Sequence, residues 1–223
     1  MYPLFFLPFF IVLSSCSVVG VRTTQELDYQ VIKVYGEYEL RKYNDYKVVQ
    51  TTAGGSYEQA SSKNFRKLFK YITGNNQSEA DISMTAPVKL QSVTIDMTAP
   101  VQIQSVEDRG GEGRYSMQFV LPSEYQGENA KKAPLALDPS VILSVVPASR
   151  VAVKRFSGIL SEKAVASQEN LLRDWIRQEG LTPLGRVSSA GFDPPWTIPF
   201  FRRNEVMFRV EIDSREGEKQ GEE

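Results

Sequence analysis

The side chains that most often carry chemistry are thinly spread through this chain of 223 residues, and histidine is missing altogether. Imidazole is the commonest side-chain metal ligand and the usual general base near neutral pH. A Ser-His-Asp triad, a zinc centre built on histidine and a histidine-ligated iron are therefore excluded. The carboxylates Glu37, Glu39, Asp45, Glu58 and Glu79 are scattered, without the spacing of a paired acid and base. Gly54-Gly55-Ser56 precedes a helix but is too short for a phosphate loop. Gly110-Gly111-Glu112-Gly113 reads as a flexible turn between strands. Arg202-Arg203-Asn204-Glu205 has the composition of an anion clamp, but an ion-pair and capping cluster at the start of a strand is the preferred reading. These residues point to binding rather than catalysis, with no enzyme activity and no metal site expected.

The chain's one cysteine is placed where it can be modified. Residues 4–13 are ten uninterrupted apolar or proline residues, the length of a signal-peptide core and too short to span a bilayer as a helix. Leu13-Ser14-Ser15-Cys16 then matches the lipobox of bacterial lipoproteins, in which small residues precede a cysteine that is diacylated and becomes the new N-terminus. This predicts a signal peptide over 1–15 and a lipidated N-terminus and linker over 16–28. Ser17 favours the outer membrane, facing the periplasm, by the bacterial sorting rule. The leader has no Lys or Arg, which weakens signal recognition and keeps an uncleaved inner-membrane signal anchor as the alternative.

Composition narrows the partners. With 26 Lys and Arg against 27 Asp and Glu, no net field draws nucleic acid, and none is expected as a partner. Beyond Cys16 no cysteine is left for a disulfide, so packing alone must hold the fold. The remaining length of about 200 residues suits one domain or two fused halves. Residues 213–223 are charged, lack aromatics and are expected to form a disordered acidic tail.

The elements that must position any site announce themselves by periodicity. Met-Thr-Ala-Pro-Val occurs at 84–88 and again at 97–101, inside two arms, 82–91 and 95–104, that alternate apolar and polar residues. The pattern predicts a β-hairpin whose arms are edge strands or bulged at Pro87 and Pro100. A longer repeat aligns Val48 with Val151, Gly55 with Gly158, and Leu68, Phe69 and Ile72 with Leu171, Leu172 and Trp175. Strands are predicted over 37–43, 46–52, 114–121, 141–146, 150–156 and 205–212. One helix is capped by Ser56 with Gln59 and ended by Gly74, and another opens at Ser161 and closes before Gly180. Residues 123–140 read as a loop. The whole is an α+β fold, a pseudo-twofold distorted β-barrel of two strand-strand-helix-strand repeats with the helices packed outside. Its domain runs over 29–212, with halves at about 29–106 and 114–212.

The doubled pentapeptide, after a helix ending in Lys-Tyr-Ile and a Gly-Asn turn, resembles the SOUL family of haem-binding proteins. The resemblance continues through Phe119-Val120-Leu121-Pro122-Ser123-Glu124-Tyr125 and Val151-Ala152-Val153-Lys154-Arg155-Phe156-Ser157-Gly158. It then runs into Gly191-Phe192-Asp193-Pro194-Pro195-Trp196 and Arg202-Arg203-Asn204-Glu205-Val206. It implies a SOUL/GyrI-like fold and haem or another tetrapyrrole as ligand, held in a hydrophobic cleft along the first helix without a histidine axial ligand. Phe65 and Phe69 match positions where relatives place apolar residues against the porphyrin, and Lys70 matches a lysine near a propionate. An arginine of some relatives falls at Ser62, with Lys63 or Arg66 as substitutes. A second wall follows Asp-Pro-Pro, at Trp196, Thr197 and Ile198, where Thr197 or its neighbour replaces a lysine. Met84, Met97, Tyr57 and Tyr71 are the only conceivable axial ligands. The function so implied is haem buffering or transfer in the bacterial envelope. Alternatives are a module for another flat hydrophobic ligand or a peptide, or an enzyme acting on a small hydrophobic substrate.

Overall fold

Alternation within the strands sorts side chains onto two faces of one sheet, and the helices cover only one of them. The computed structural model describes residues 25–78, 81–92, 113–194 and 196–212. In chain order the elements are β1 (Gln30–Tyr35), β2 (Tyr38–Tyr43), β3 (Tyr46–Gly54), α1 (Tyr57–Ile72), β4 (Val88–Ser92), β5 (Arg114–Val120), β6 (Ile142–Val146), β7 (Ser149–Phe156), α2 (Glu162–Gln178), β8 (Leu181–Gly191) and β9 (Asn204–Ile212). Among the described residues the strands form a nine-stranded sheet in the order β1-β2-β7-β9-β8-β4-β5-β3-β6, and the pairings are antiparallel. The sheet is open, ending at β1 and β6.

That order is a palindrome. Exchanging β2 with β6, β3 with β7, β4 with β8 and β5 with β9 reverses it from β2 to β6 and leaves the pairings intact. The quasi-twofold therefore lies between β4 and β8, and each half is strand-strand-helix-strand-strand, one strand longer than the sequence pattern suggested. β2 crosses over to pair with β7, and β6 with β3. β5 pairs with β3 and β4, so the pseudosymmetry divides the chain between β5 and β6.

Both helices form where their caps dictate. The Ser56 hydroxyl accepts from Gln59 N at 3.3 Å while the Gln59 side chain accepts from Ser56 N at 3.3 Å, and Ser161 accepts from Ala164 N. Such a cap contributes about 1 kcal/mol. Gly74, at φ 98°, stands just past the end of α1, in the left-handed region that glycine enters without strain. Leu68, Tyr71 and Ile72 of α1 and Leu172, Trp175 and Ile176 of α2 bury against Val49, Leu90, Phe119, Ala152, Val206 and Phe208. The opposite face packs Tyr43, Tyr46, Val48, Val120, Val151, Val153 and Met207.

Three sequence expectations change. The 82–91 arm is a strand only from Val88, after a cis Ala86–Pro87 bond. Its two edges are taken by β5 and β8 over Val88–Gln91, so it is an interior strand and makes no hairpin with a second arm there. The second copy, 95–104, lies outside the described residues, as do the signal peptide, Cys16 and the 213–223 tail. β8 was missed because Pro183 and Gly185 interrupt its alternation, and the register shifts between Leu184 and Ser188. The 123–140 segment holds two short 3-10 turns, Ser123–Tyr125 and Gly127–Lys132.

Candidate functional site

The apolar stripe of α1 is wider than the face that meets the sheet. Leu68 and Ile72 are buried, Phe65 is half-buried, and Phe69 keeps 45% of its surface exposed. The Phe65 ring stacks on Phe69 at 5.7 Å and meets Phe119 edge-on at 5.5 Å. A pair of parallel rings thus runs from the core to the surface. Tyr71 donates to Pro134 O at 2.8 Å and Gln77 N to Leu135 O at 2.9 Å, which ties the loop carrying exposed Leu135 and Leu137 to the C-terminal end of α1.

The basic residues of α1 are exposed or at its edge. Lys63 donates to Gly54 O at 3.2 Å, Arg66 to Ser62 O at 3.2 Å and Lys67 to Ser140 Oγ at 2.9 Å. Lys70 is exposed in the last turn. Hydrogen bonds from the Ser140 hydroxyl and amide hold the Asp138 carboxyl below its usual range, helped by the charges of Lys67 and Lys70.

The segment after Asp193-Pro194 is presented from another support. Gly158 N donates to Pro199 O at 2.9 Å, Phe192 N to Arg203 O at 3.2 Å and Arg202 Nε to Thr197 O at 2.8 Å. Trp196 is 66% exposed and Phe200 77%, with Ile198 and Phe201 also at the surface, while Thr197 is only 1% exposed. Thr197 therefore braces the loop from within, and Trp196 supplies its outward surface. The structure stacks Phe65 with Phe69 and carries Trp196 on the β8–β9 loop.

Iron ligation has little to draw on. Tyr57 and Ser189 hydroxyls share a hydrogen bond at 3.0 Å, and the Tyr71 hydroxyl is committed to Pro134. Burial raises both phenols, Tyr71 to about 12. Neither is ready to give a phenolate. Met84 packs against the core, and Met97 lies outside the described residues. Among the described residues no three His, Cys, Asp or Glu side chains come together to hold a metal ion.

The helix-free face carries charge that periodicity alone did not reveal. Arg41, fully buried, grips Glu205 at 2.8 and 2.9 Å, Glu39 at 2.7 Å and the Tyr43 hydroxyl at 3.1 Å. Arg203 joins Glu205 to Glu26, at 2.7 and 3.0 Å, and Arg155 reaches Glu39 at 2.8 Å. Three arginines thus meet three carboxylates. Burial alone would raise the Glu205 carboxyl, but the hydrogen bonds and charges of Arg41 and Arg203 outweigh it and hold it below its ordinary value. The Arg202–Glu205 run is the ion-pair and capping cluster preferred from sequence, with Asn204 Nδ2 donating to Gly158 O at 2.9 Å. Lys89 is different: its ammonium donates to the Tyr46 hydroxyl at 2.8 Å, over the rings of Tyr43 and Tyr46. Only its place on the polar face of an alternating strand could have signalled it.

Comparison with known proteins agrees with this architecture. Heme-binding protein 1 of Xenopus tropicalis is 26% identical over 172 residues, covering 77% of this chain and 82% of the relative. Heme-binding protein 2 of Homo sapiens is 29% identical over 181 residues, covering 79% and 78%. Among solved structures, the EcmrR C-terminal domain superposes with a TM-score of 0.55 at 13% identity, over 83% of this chain and 99% of that one. A hydrolase from Listeria innocua reaches 0.50 at 11% identity, over 81% and 94%. These two likenesses are of fold alone. The family model for the SOUL heme-binding protein matches residues 24–209, and the chain therefore belongs to the SOUL family.

Proposed function

We propose that this chain binds haem or a related tetrapyrrole by apolar burial on the Phe65–Phe69 face of α1, without a histidine ligand, and that it buffers or passes on haem in the bacterial envelope. The observation that carries the reading is an exposed aromatic ring, Phe69, stacked on a half-buried one in a chain of this family. A flat ring system extends such a stack. Each hundred Å² of apolar surface it covers contributes about 2.5 kcal/mol before ordering costs. Lys70, with Lys63 and Arg66 on the same helix, offers cations to the propionates, and Trp196 on its braced loop offers a second flat surface. The residues suit the porphyrin face rather than the iron.

Titration of the chain with haemin and with iron-free protoporphyrin tests this directly. The two are expected to bind with similar affinity. A haemin preference beyond about a hundredfold, roughly 2.7 kcal/mol, together with a six-coordinate low-spin spectrum, would replace apolar burial by iron ligation as the main contribution. Attachment through acylated Cys16 is part of the proposal and is read separately, by incorporation of labelled fatty acid in a bacterial host. That label is expected to vanish in Cys16→Ala, and its absence from the unaltered chain would remove the anchor.

A further inference from the structure

On the helix-free face a cavity of about 340 Å³ opens among β3 to β9. Lys89 and Arg209 contribute cations to it, and no described lining residue is a carboxylate. Lys89 is only 8% exposed, while Arg209 is exposed at the surface. The two cations thus run from a buried ammonium to an outer guanidinium.

The contrast with the neighbouring arginines is what points to a ligand. Arg41, Arg155 and Arg203 each have a carboxylate within 3.0 Å. Lys89 has none within ion-pair distance among the described residues; its ammonium meets the neutral hydroxyl of Tyr46 and two aromatic rings. The carboxylate that acts on it electrostatically, Glu205, is gripped by Arg41 and Arg203, and the Arg41 charge opposes it. A buried cation without an anion is costly, and the cost disappears when an anion arrives. Beside Lys89 on the adjacent strand stands Gln118, joined at 3.0 Å to Gln50 one strand further on. Ser116, Ser144, Ser149 and Ser188 add hydroxyl donors, and Val145, Val146, Pro147, Val151 and Met207 add an apolar wall.

We infer that this cavity is a second ligand site, separate from the α1 face, which takes a small organic anion whose carboxylate or phosphate reaches Lys89 while its short apolar body lies against Val151 and Met207. The volume is at the small end for ligand cavities, which run from about 300 to 1,000 Å³. Burial brings the Lys89 ammonium down to about 8, so it is still largely charged at neutral pH.

The test is calorimetric titration of the full-length chain with inorganic phosphate, phenyl phosphate and benzoate at constant ionic strength, beside Lys89→Met and Arg209→Gln. Saturable binding of phenyl phosphate or benzoate is expected, weakened about tenfold or more in Lys89→Met and by less in Arg209→Gln. Which of the two aromatic anions binds more tightly distinguishes phosphate from carboxylate recognition. Inorganic phosphate alone is expected to bind more weakly than phenyl phosphate. Thermal melting shows that each variant is folded, and haemin binding is expected to be unchanged in both. The inference is overturned if none of the three anions binds saturably, or if Lys89→Met binds them as the unaltered chain does. Loss of haemin binding in Lys89→Met would also overturn it, because the tetrapyrrole's own acid groups would then occupy this cavity.

Discussion

Two buried charges on one sheet face both titrate below their ordinary values and make stability rise with pH, in an acid and an alkaline window respectively. The Glu205 carboxyl is held below its ordinary value of 4.5, so its contribution to stability is present in full above about pH 4.5 and is lost as pH falls through the lower folded value. The urea midpoint is therefore expected to drop on acidification below about 4.5. Glu205→Gln should flatten that limb while costing about 3 kcal/mol at neutral pH, because Arg41 is left buried with less compensation. An unchanged acid limb in Glu205→Gln would show that other carboxylates set it. Lys89 gives the same sign in an alkaline window, because its folded value of about 8 lies below the ordinary 10.5, but there it is a penalty on the charged form that is relieved. The unfolded chain binds more protons between those values, so this group's contribution to stability rises with pH from about 8 to 10.5. Lys89→Met is then expected to raise stability at neutral pH by about 1 to 3 kcal/mol, and loss of stability in that variant would contradict the reading.

At the scale of the element, α1 separates packing from presentation. Leu68 is fully buried against the sheet, whereas Phe69, one residue on, is nearly half exposed. Leu68→Ala is expected to cost about 2 to 5 kcal/mol of folding stability. Phe69→Ala should leave the melting temperature almost unchanged and weaken tetrapyrrole binding instead, as should Lys70→Glu, by about 1 to 3 kcal/mol. Lys70 also acts on Asp138, so the charge reversal adds repulsion within the protein as well as toward a propionate. Full binding in both Phe69→Ala and Lys70→Glu would move the ligand off this face.

At the scale of the molecule, the two halves are interlocked by their first strands. β2 completes the sheet beside β7 and β6 does so beside β3, while β4 and β8 join the halves at the pseudosymmetry axis. A fragment ending after β5 would leave the free edge of β3 open, and one beginning before β6 would do the same to β7. Each fragment alone, cut within residues 123–140, is expected to unfold without cooperativity, and mixing them to restore a sigmoidal transition by circular dichroism. A cooperative transition in either fragment alone would show that the strand exchange is dispensable. No helix among the described residues is long and apolar enough to cross a membrane.

Local rules were enough to read much of this protein. The Ser56–Gln59 and Ser161 caps and the period-2 stretches of β2, β3, β5, β7 and β9 depend on neighbours in sequence, and each appears within a residue or two of where the pattern puts it. The missing histidines were equally plain, as was the family signature running through the chain. Pairing was not legible, because an alternating strand specifies its faces but not its edges. Thus the first Met-Thr-Ala-Pro-Val arm looked like half of a hairpin and is an interior strand between β5 and β8. The same reason hid the buried charges: Arg41, Lys89 and Glu205 occupy polar positions in their strands, which ordinarily face water. Only the assembled sheet, with its helix-free face packed on itself, took them out of solvent, giving Arg41 and Glu205 each other and leaving Lys89 beside an open cavity.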